Sequence, residues 1–226
     1  MNALRGIKVV IWDLDGVVVD TMPDIVGALR ASARAVGYGE LTAEQTSNKV
    51  GGGAVKAFTK LFGPDDERFV APAVEYFGAY YPEHCADTST LYGGIPEVFA
   101  QLDGHVGVAM ATAKIRSATL RLLESLGVRA FFDYLVTADD MQRMKPDPQC
   151  VEMILAHFGV EPSAAVIIGD MATDIQAGKA AGIRTIGVTY GYGKLADLIA
   201  AAPDILVDQP ADLLGAIEWA GADRSS

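Results

Sequence analysis

Six short apolar runs limit what this 226-residue chain can fold into. IKVVIW (7–12), VGVAMA (106–111), YLVT (134–137), AVIIG (165–169), TIGVT (185–189) and ILV (205–207) read as strands. Each is apolar nearly throughout rather than alternating, as in strands covered on both faces of a parallel sheet. Between them, from about residue 89 onward, lie helix-like stretches. IRSATLRLLESLG (115–127) places Ile115, Leu120, Leu122, Leu123 and Leu126 mostly on one stripe, with Gly127 as its stop. Residues 148–158, 172–182 and 211–220 also read as helices. Strands alternating with helices predict an α/β fold with a doubly wound parallel sheet.

The interval after the first run breaks this alternation. PDIVGALRASARAV, TAEQTSNKV, AVKAFTKLFG and ERFVAPAVEYFGAYY follow one another with no strand between them. The expected organisation is an α/β core of residues 1–16 and 89–226, with a helical domain, 17–88, inserted into it. An insertion after the first strand is expected above that strand's carboxyl end, where ligands bind in open α/β sheets. The last residues, GADRSS, read as a frayed tail.

Four places carry residues with chemical potential, and each follows an apolar run. In WDLDG, Asp13 and Asp15 stand one residue apart before Gly16. They suit a nucleophilic carboxylate and a general acid/base, or a solvated turn after the strand. Thr112, in TAK, could donate to a phosphate oxygen or simply cap the next helix. Lys145, in MKPDP, is held by prolines and could serve as a fixed point charge, or be a surface lysine in a turn. Asp170 and Asp174, in GDMATD, read as metal ligands or as the cap and dipole partner of a helix.

In a parallel sheet such points gather along one edge. Four carboxylates sharing a pocket repel, each pair costing on the order of 4 kcal/mol near 4 Å at an effective dielectric of 20. A single lysine does not offset that, so the cluster needs a dication or bound protons. The donors are all oxygens and the three histidines are scattered, which favours Mg²⁺ over Zn²⁺.

DLDGV, TAK, KPDP and GDMATD, in this order, resemble the four motifs of the haloacid dehalogenase superfamily over nearly the whole chain. The inserted helices resemble that family's helical cap. VGGGAVKAF (50–58), LYGGIPEVFAQL (91–102), FFDYLVTADD (131–140) and VTYGYG (188–193) resemble the phosphoglycolate phosphatase branch. The resemblance implies a Mg²⁺-dependent phosphomonoester hydrolase with a Rossmann-like core and a 2-phosphoglycolate-like substrate. It implies Asp13 as the nucleophile that becomes an aspartyl-phosphate, and Asp15 as the acid/base. Thr112 and Lys145 would hold phosphate, with Gly16 and Ala113 beside them. Asp13, the Asp15 carbonyl, Asp170 and Asp174 would surround the metal.

Two positions depart from that branch. Ala113 stands where asparagine is usual, and Val17 where threonine is common. Gly51, Gly52 and Gly53 open a helix-like segment that could face a small carboxylate, or form a flexible link. Alternatives within the superfamily are a β-phosphoglucomutase-like phosphotransferase, a phosphonatase using Lys49 or Lys56, and a pyrophosphatase. Outside enzymes, a receiver that accepts phosphate on Asp13 without turnover would need neither the inserted helices nor Asp15.

A net charge of −11 argues against nucleic acid and anionic membrane surfaces as partners. A small phosphate ester remains compatible if the pocket carries its own cations. No apolar run approaches the ~18 residues of a membrane span. The N-terminal run is too short for a signal peptide, and Cys85 and Cys150 form no CxxC pair. The expectation is a cytoplasmic monomer or homodimer.

Overall fold

The computed structural model describes residues 3–219; the expected frayed tail, 221–226, lies outside the described residues. A six-stranded sheet is built from β1 (Val9–Trp12), β2 (Gly107–Ala111), β3 (Tyr134–Val136), β4 (Ala165–Gly169), β5 (Arg184–Val188) and β6 (Ile205–Val207). Its order is β3-β2-β1-β4-β5-β6 and every neighbouring pair is parallel. The order reverses between β1 and β4, the switch point at which α/β sheets open a crevice at their carboxyl ends.

In chain order the α-helices are α1 (Met22–Ala35), α2 (Ala43–Ser47), α3 (Ala54–Phe62), α4 (Val70–His84), α5 (Ile95–Leu102), α6 (Arg116–Ser125), α7 (Gln149–Phe158), α8 (Ala172–Ala180), α9 (Leu195–Ala201) and α10 (Leu213–Ala216). Among the described residues no helix is long and apolar enough to cross a membrane.

The chain divides into two compact units. The α/β unit comprises residues up to 20, 91–112 and from 127 onward. Its strands explain their own apolar runs, since every residue of β1 and β4 is buried. Side chains alternate between faces at period two. Val9 and Ile11 of β1, with Ala165 and Ile167 of β4, pack on Val151 and Ile154 of α7. Trp12 meets the ring of Phe99, from α5, edge to face at 5.0 Å.

The helical unit comprises residues 21–90 and 113–126. Its core is aromatic: Tyr38, Phe62 and Phe69 pack around one another, and Phe58 lies between Phe62 and Phe77. Asp24, on α1, is buried. Its carboxylate accepts hydrogen bonds from the N–H and hydroxyl of both Thr88 and Ser89, tying the end of the unit to its first helix.

Several expectations shift. The boundaries fall at 20/21 and 90/91, and α6 groups with the inserted helices rather than with the core. The contacts that draw it there are the Lys114 ammonium on the Tyr81 hydroxyl, Arg121 on Glu83 at 2.6 Å, and Cys85 Sγ on the Ala118 carbonyl. The buried stripe of α6 is Ala118, Thr119, Leu122 and Leu123, whereas Ile115 precedes the helix and is exposed. The helix expected over 211–220 ends at Ala216. Ile217–Trp219 instead forms a strand that pairs in parallel with Leu4–Ile7. That pairing satisfies backbone groups across almost the entire chain length, so no local pattern announces it.

Candidate active site

The site grows from the carboxyl ends of β1 and β4. Asp13 is the first residue beyond β1, and its N–H still donates to the Ile168 carbonyl of β4 at 3.0 Å. Asp170 is the first residue beyond β4. Asp174 stands in the first turn of α8, where its Oδ2 accepts the Met171 N–H at 3.0 Å. The parallel register therefore brings three carboxylates together from two strand ends and one helix start. They are buried, with oxygens within 4.8 Å of one another.

Lys145 completes the cluster. Its Nζ lies 2.8 Å from Asp13 Oδ1 and 2.5 Å from Asp174 Oδ1, and donates to the Ala111 carbonyl at 2.9 Å. The loop carrying it is fixed by Gln149, whose side-chain oxygen accepts from the N–H groups of Gln142 and Arg143 at 3.0 and 2.8 Å. Thr112, the first residue beyond β2, is buried, and its N–H donates to the Val136 carbonyl at 3.0 Å. Asp15 is half-buried, in an isolated bridge with Val19. Gly16 has φ +86°, and a side chain there would begin 2.5 Å from Asp170 Oδ2.

Charge is poorly balanced in this cluster. Each carboxylate pair at such separations repels by roughly 3.5 kcal/mol at an effective dielectric of 20. Lys145 answers for Asp13 and Asp174, and desolvating four ionic groups costs several kcal/mol per ion beyond that. Burial pushes the Asp13 carboxyl up to about 8, against the pull of Lys145 and with help from Asp174, Asp170 and Asp15. Burial and then Asp174 push Asp170 up to about 7, opposed by the N–H groups of Tyr192 and Gly193 and by Lys145. For Lys145 burial disfavours the charge, but the two carboxylates outweigh it and raise its pKa. Burial and mutual repulsion thus work against the charged forms of Asp13 and Asp170, and a cation beside them would favour those forms.

The donor set suits a hard dication. Three carboxylates converge, and Asp170 Oδ1 is buried with no hydrogen-bond partner among the described residues, an arrangement that is costly unless something positive meets it. Oxygen-only donors fit Mg²⁺.

Not every expected residue joins this cluster. Ala113, Gly51, Gly52 and Gly53 belong to the helical unit. Ala113 is exposed, and the three glycines have φ of +114°, +80° and +88°, the last capping α3. Three contributors are not marked in the sequence, two of them because they act through the backbone. The backbone N–H groups of Tyr192 and Gly193 hold Asp170 Oδ2 at 2.7 and 3.1 Å, and Gln149 holds the lysine loop. VTYGYG (188–193) carries part of the branch resemblance in the sequence, but does not reveal the residue it holds.

A protein-family model described as haloacid dehalogenase-like hydrolase matches residues 10–188. The N-acetylmuramic acid 6-phosphate phosphatase of Pseudomonas aeruginosa is 33% identical over 99% of this chain and 100% of its own length. The phosphoglycolate phosphatase of Aquifex aeolicus is 31% identical over 92% of this chain and 95% of its own. Among solved structures, a haloacid dehalogenase-like family protein from Streptococcus pneumoniae superposes with a TM-score of 0.82 at 23% identity. It covers 92% of this chain and 97% of its own.

Proposed function

The chain belongs to the haloacid dehalogenase-like hydrolases and is a phosphatase of that family; from that premise we propose that it hydrolyses a small phosphomonoester through an aspartyl-phosphate on Asp13. The observation that carries this reading is the convergence of Asp13, Asp170, Asp174 and Lys145 at the sheet's switch point. A phospho-accepting receiver without turnover is set aside by the same premise.

Asp13 attacks phosphorus, and the bond to the leaving alcohol oxygen breaks. Asp15 gives that oxygen its proton, then takes one from the water that hydrolyses the acyl phosphate and regenerates Asp13. Lys145 and Thr112 orient the phosphate oxygens, and Lys145 offsets the negative charge met by an anionic nucleophile. Asp13, Asp170, Asp174 and the Asp15 carbonyl would hold Mg²⁺, which when bound supplies Lewis-acid neutralisation of the phosphate.

The two named relatives act on N-acetylmuramic acid 6-phosphate and on phosphoglycolate. Both compounds carry a carboxylate as well as a phosphomonoester. The substrate class we assign is therefore a phosphorylated small carboxylic acid, resembling 2-phosphoglycolate. In the helical unit the start of α3, entered through Gly51–Gly53, is the candidate anion contact. Cys85 and Cys150, both free and buried, suit a reducing cytoplasm.

The test is a panel of phosphorylated metabolites and an aryl phosphate, assayed for phosphate release with Mg²⁺. The parent should favour carboxylate-bearing esters, and a phosphoenzyme should be trappable with hydroxylamine. Turnover by Asp13→Asn at the parental rate would sink the mechanism.

A further inference from the structure

We propose that the loop Tyr190–Gly193 is the positioning element of Asp170, and that the Tyr192 hydroxyl, through its bond to Asp20, governs how tightly the carboxylate cluster holds a divalent cation. This rests on the reading of Asp170 as a cation ligand.

The two oxygens of Asp170 are treated differently. Oδ2 accepts the N–H of Tyr192 at 2.7 Å and of Gly193 at 3.1 Å, while Oδ1 is buried without a hydrogen-bond partner among the described residues. A carboxylate fixed through one oxygen presents the other in a set direction. Two backbone donors fix it without adding a full positive charge that would compete with a cation.

Glycine is what lets the loop lie against this side chain. A Cβ at Gly191 would stand 2.4 Å from both Asp170 Cβ and the Gly16 carbonyl oxygen. One at Gly193 would stand 1.8 Å from the Asp170 carbonyl oxygen, and one at Gly16 would stand 2.5 Å from Asp170 Oδ2 and 3.0 Å from Tyr192 Cδ2. Three glycines from two distant segments thus bracket a single residue, Gly16 and Gly191 against its side chain and Gly193 against its backbone.

The loop's outer side is anchored by hydroxyls. Tyr192 donates to Asp20 Oδ1 at 2.8 Å, and Tyr190 donates to the Val17 carbonyl at 3.0 Å. The Tyr190 ring packs on Tyr92 at 4.9 Å. Tyr192 therefore joins Asp20 to Asp170, hydroxyl at one end and peptide N–H at the other. Phenylalanine at 192 would keep the ring and the N–H and lose the hydroxyl, which bonds Asp20 and also meets the Tyr92 side chain.

The test is isothermal titration of metal-free protein with Mn²⁺, together with melting temperatures. Tyr192→Phe should bind Mn²⁺ about 10- to 100-fold more weakly with little change in Tm, the usual effect of losing a group that orients a ligand. Tyr134→Phe, whose ring stacks on His157 elsewhere in the unit, should bind as the parent does. Gly193→Ala should lose binding further; if it does not fold, Tyr192→Phe carries the test. Parental Mn²⁺ affinity in Tyr192→Phe, with or without a lower Tm, overturns the inference provided Asp170→Asn has lost binding. If Asp170→Asn binds as the parent does, the reading of the cluster as a cation site falls, and this inference with it.

Discussion

Replacing Gly169 by alanine should disable the site by displacing one carboxylate. Gly169 closes β4 immediately before Asp170, and a Cβ built on it would stand 2.2 Å from Asp174 Cβ, 2.5 Å from its Cγ and 2.6 Å from its Oδ2. Ordinary contact starts near 3.4 Å, so Asp174 must withdraw by 3.4 − 2.2, about 1.2 Å. The 2.5 Å contact with Lys145 and the bond from the Met171 N–H cannot both survive such a shift. A misplacement of about 1 Å in a reacting constellation costs on the order of 100-fold, and overpacking adds roughly 1–3 kcal/mol of destabilisation. The assay is kcat/KM on an aryl phosphate at saturating Mg²⁺, with circular dichroism to establish folding. Gly178→Ala is the control. Its Cβ would press on Ile167 Cγ2 at 2.5 Å and Thr185 Cγ2 at 2.8 Å, which is overpacking inside the core. It should lose comparable stability while keeping kcat/KM within about threefold of the parent. A folded Gly169→Ala enzyme with parental kcat/KM would refute the reasoning; if that variant is insoluble, Asp174→Ala must show the loss instead.

Other perturbations have outcomes of defined sign. Asp24→Asn should destabilise the helical unit by about 2–3 kcal/mol at pH 7 in urea, because the two Ser89 donors are buried while those of Thr88 reach water. Burial opposes the Asp24 charge, but the bonds from Thr88 and Ser89 outweigh it and hold its carboxyl below the usual range. Its contribution is therefore complete above the unfolded value near 3.9 and is lost as pH falls through the folded one. The deficit of Asp24→Asn should shrink below about pH 4. Lys145→Met leaves Asp13 and Asp174 without their ammonium. It should cost roughly 3–5 kcal/mol in metal-free protein and at least about 10³-fold in kcat, read by melting and by phosphate release. Chelation with EDTA should abolish turnover and Mg²⁺ restore it. Mg²⁺ should also raise the Tm of the parent but not of Asp170→Asn, by preferential binding to the folded state.

How much of this was legible in the sequence follows from where each signal resides. Val9–Trp12 and Ala165–Gly169 announced themselves because a strand covered on both faces must be apolar throughout. Asp13, Thr112 and Asp170 were visible because polar residues immediately after such runs fall at strand ends, and a parallel sheet collects those ends. Ile217–Trp219 was misread as helix because its pairing partner is Leu4–Ile7, more than 200 residues away. Helix α9 went unread because Leu195 and Ile199 are exposed and Leu198 alone is buried, so its apolar spacing marks no stripe. The holders of Asp170 were invisible for another reason: a backbone N–H donor has no residue identity.

That invisibility has a physical basis if the cluster is the cation site proposed above. A carboxylate meant to bind a dication has to be oriented without being neutralised. An arginine or lysine against Asp170 would orient it, but would also satisfy the charge the cation needs. The one lysine in the cluster sits on Asp13 and Asp174 instead, leaving Asp170 to two peptide N–H groups. Peptide donors lower the cost of a buried carboxylate only in part, which is why burial still pushes Asp170 up to about 7. The glycines at 16, 191 and 193 follow from the same demand, since donors that come from backbone can reach a buried carboxylate only where no side chain stands between. On the proposed reading, the glycine pattern and the Asp170 oxygen that has no partner among the described residues follow from one requirement: to aim a negative charge while leaving it unanswered by the protein.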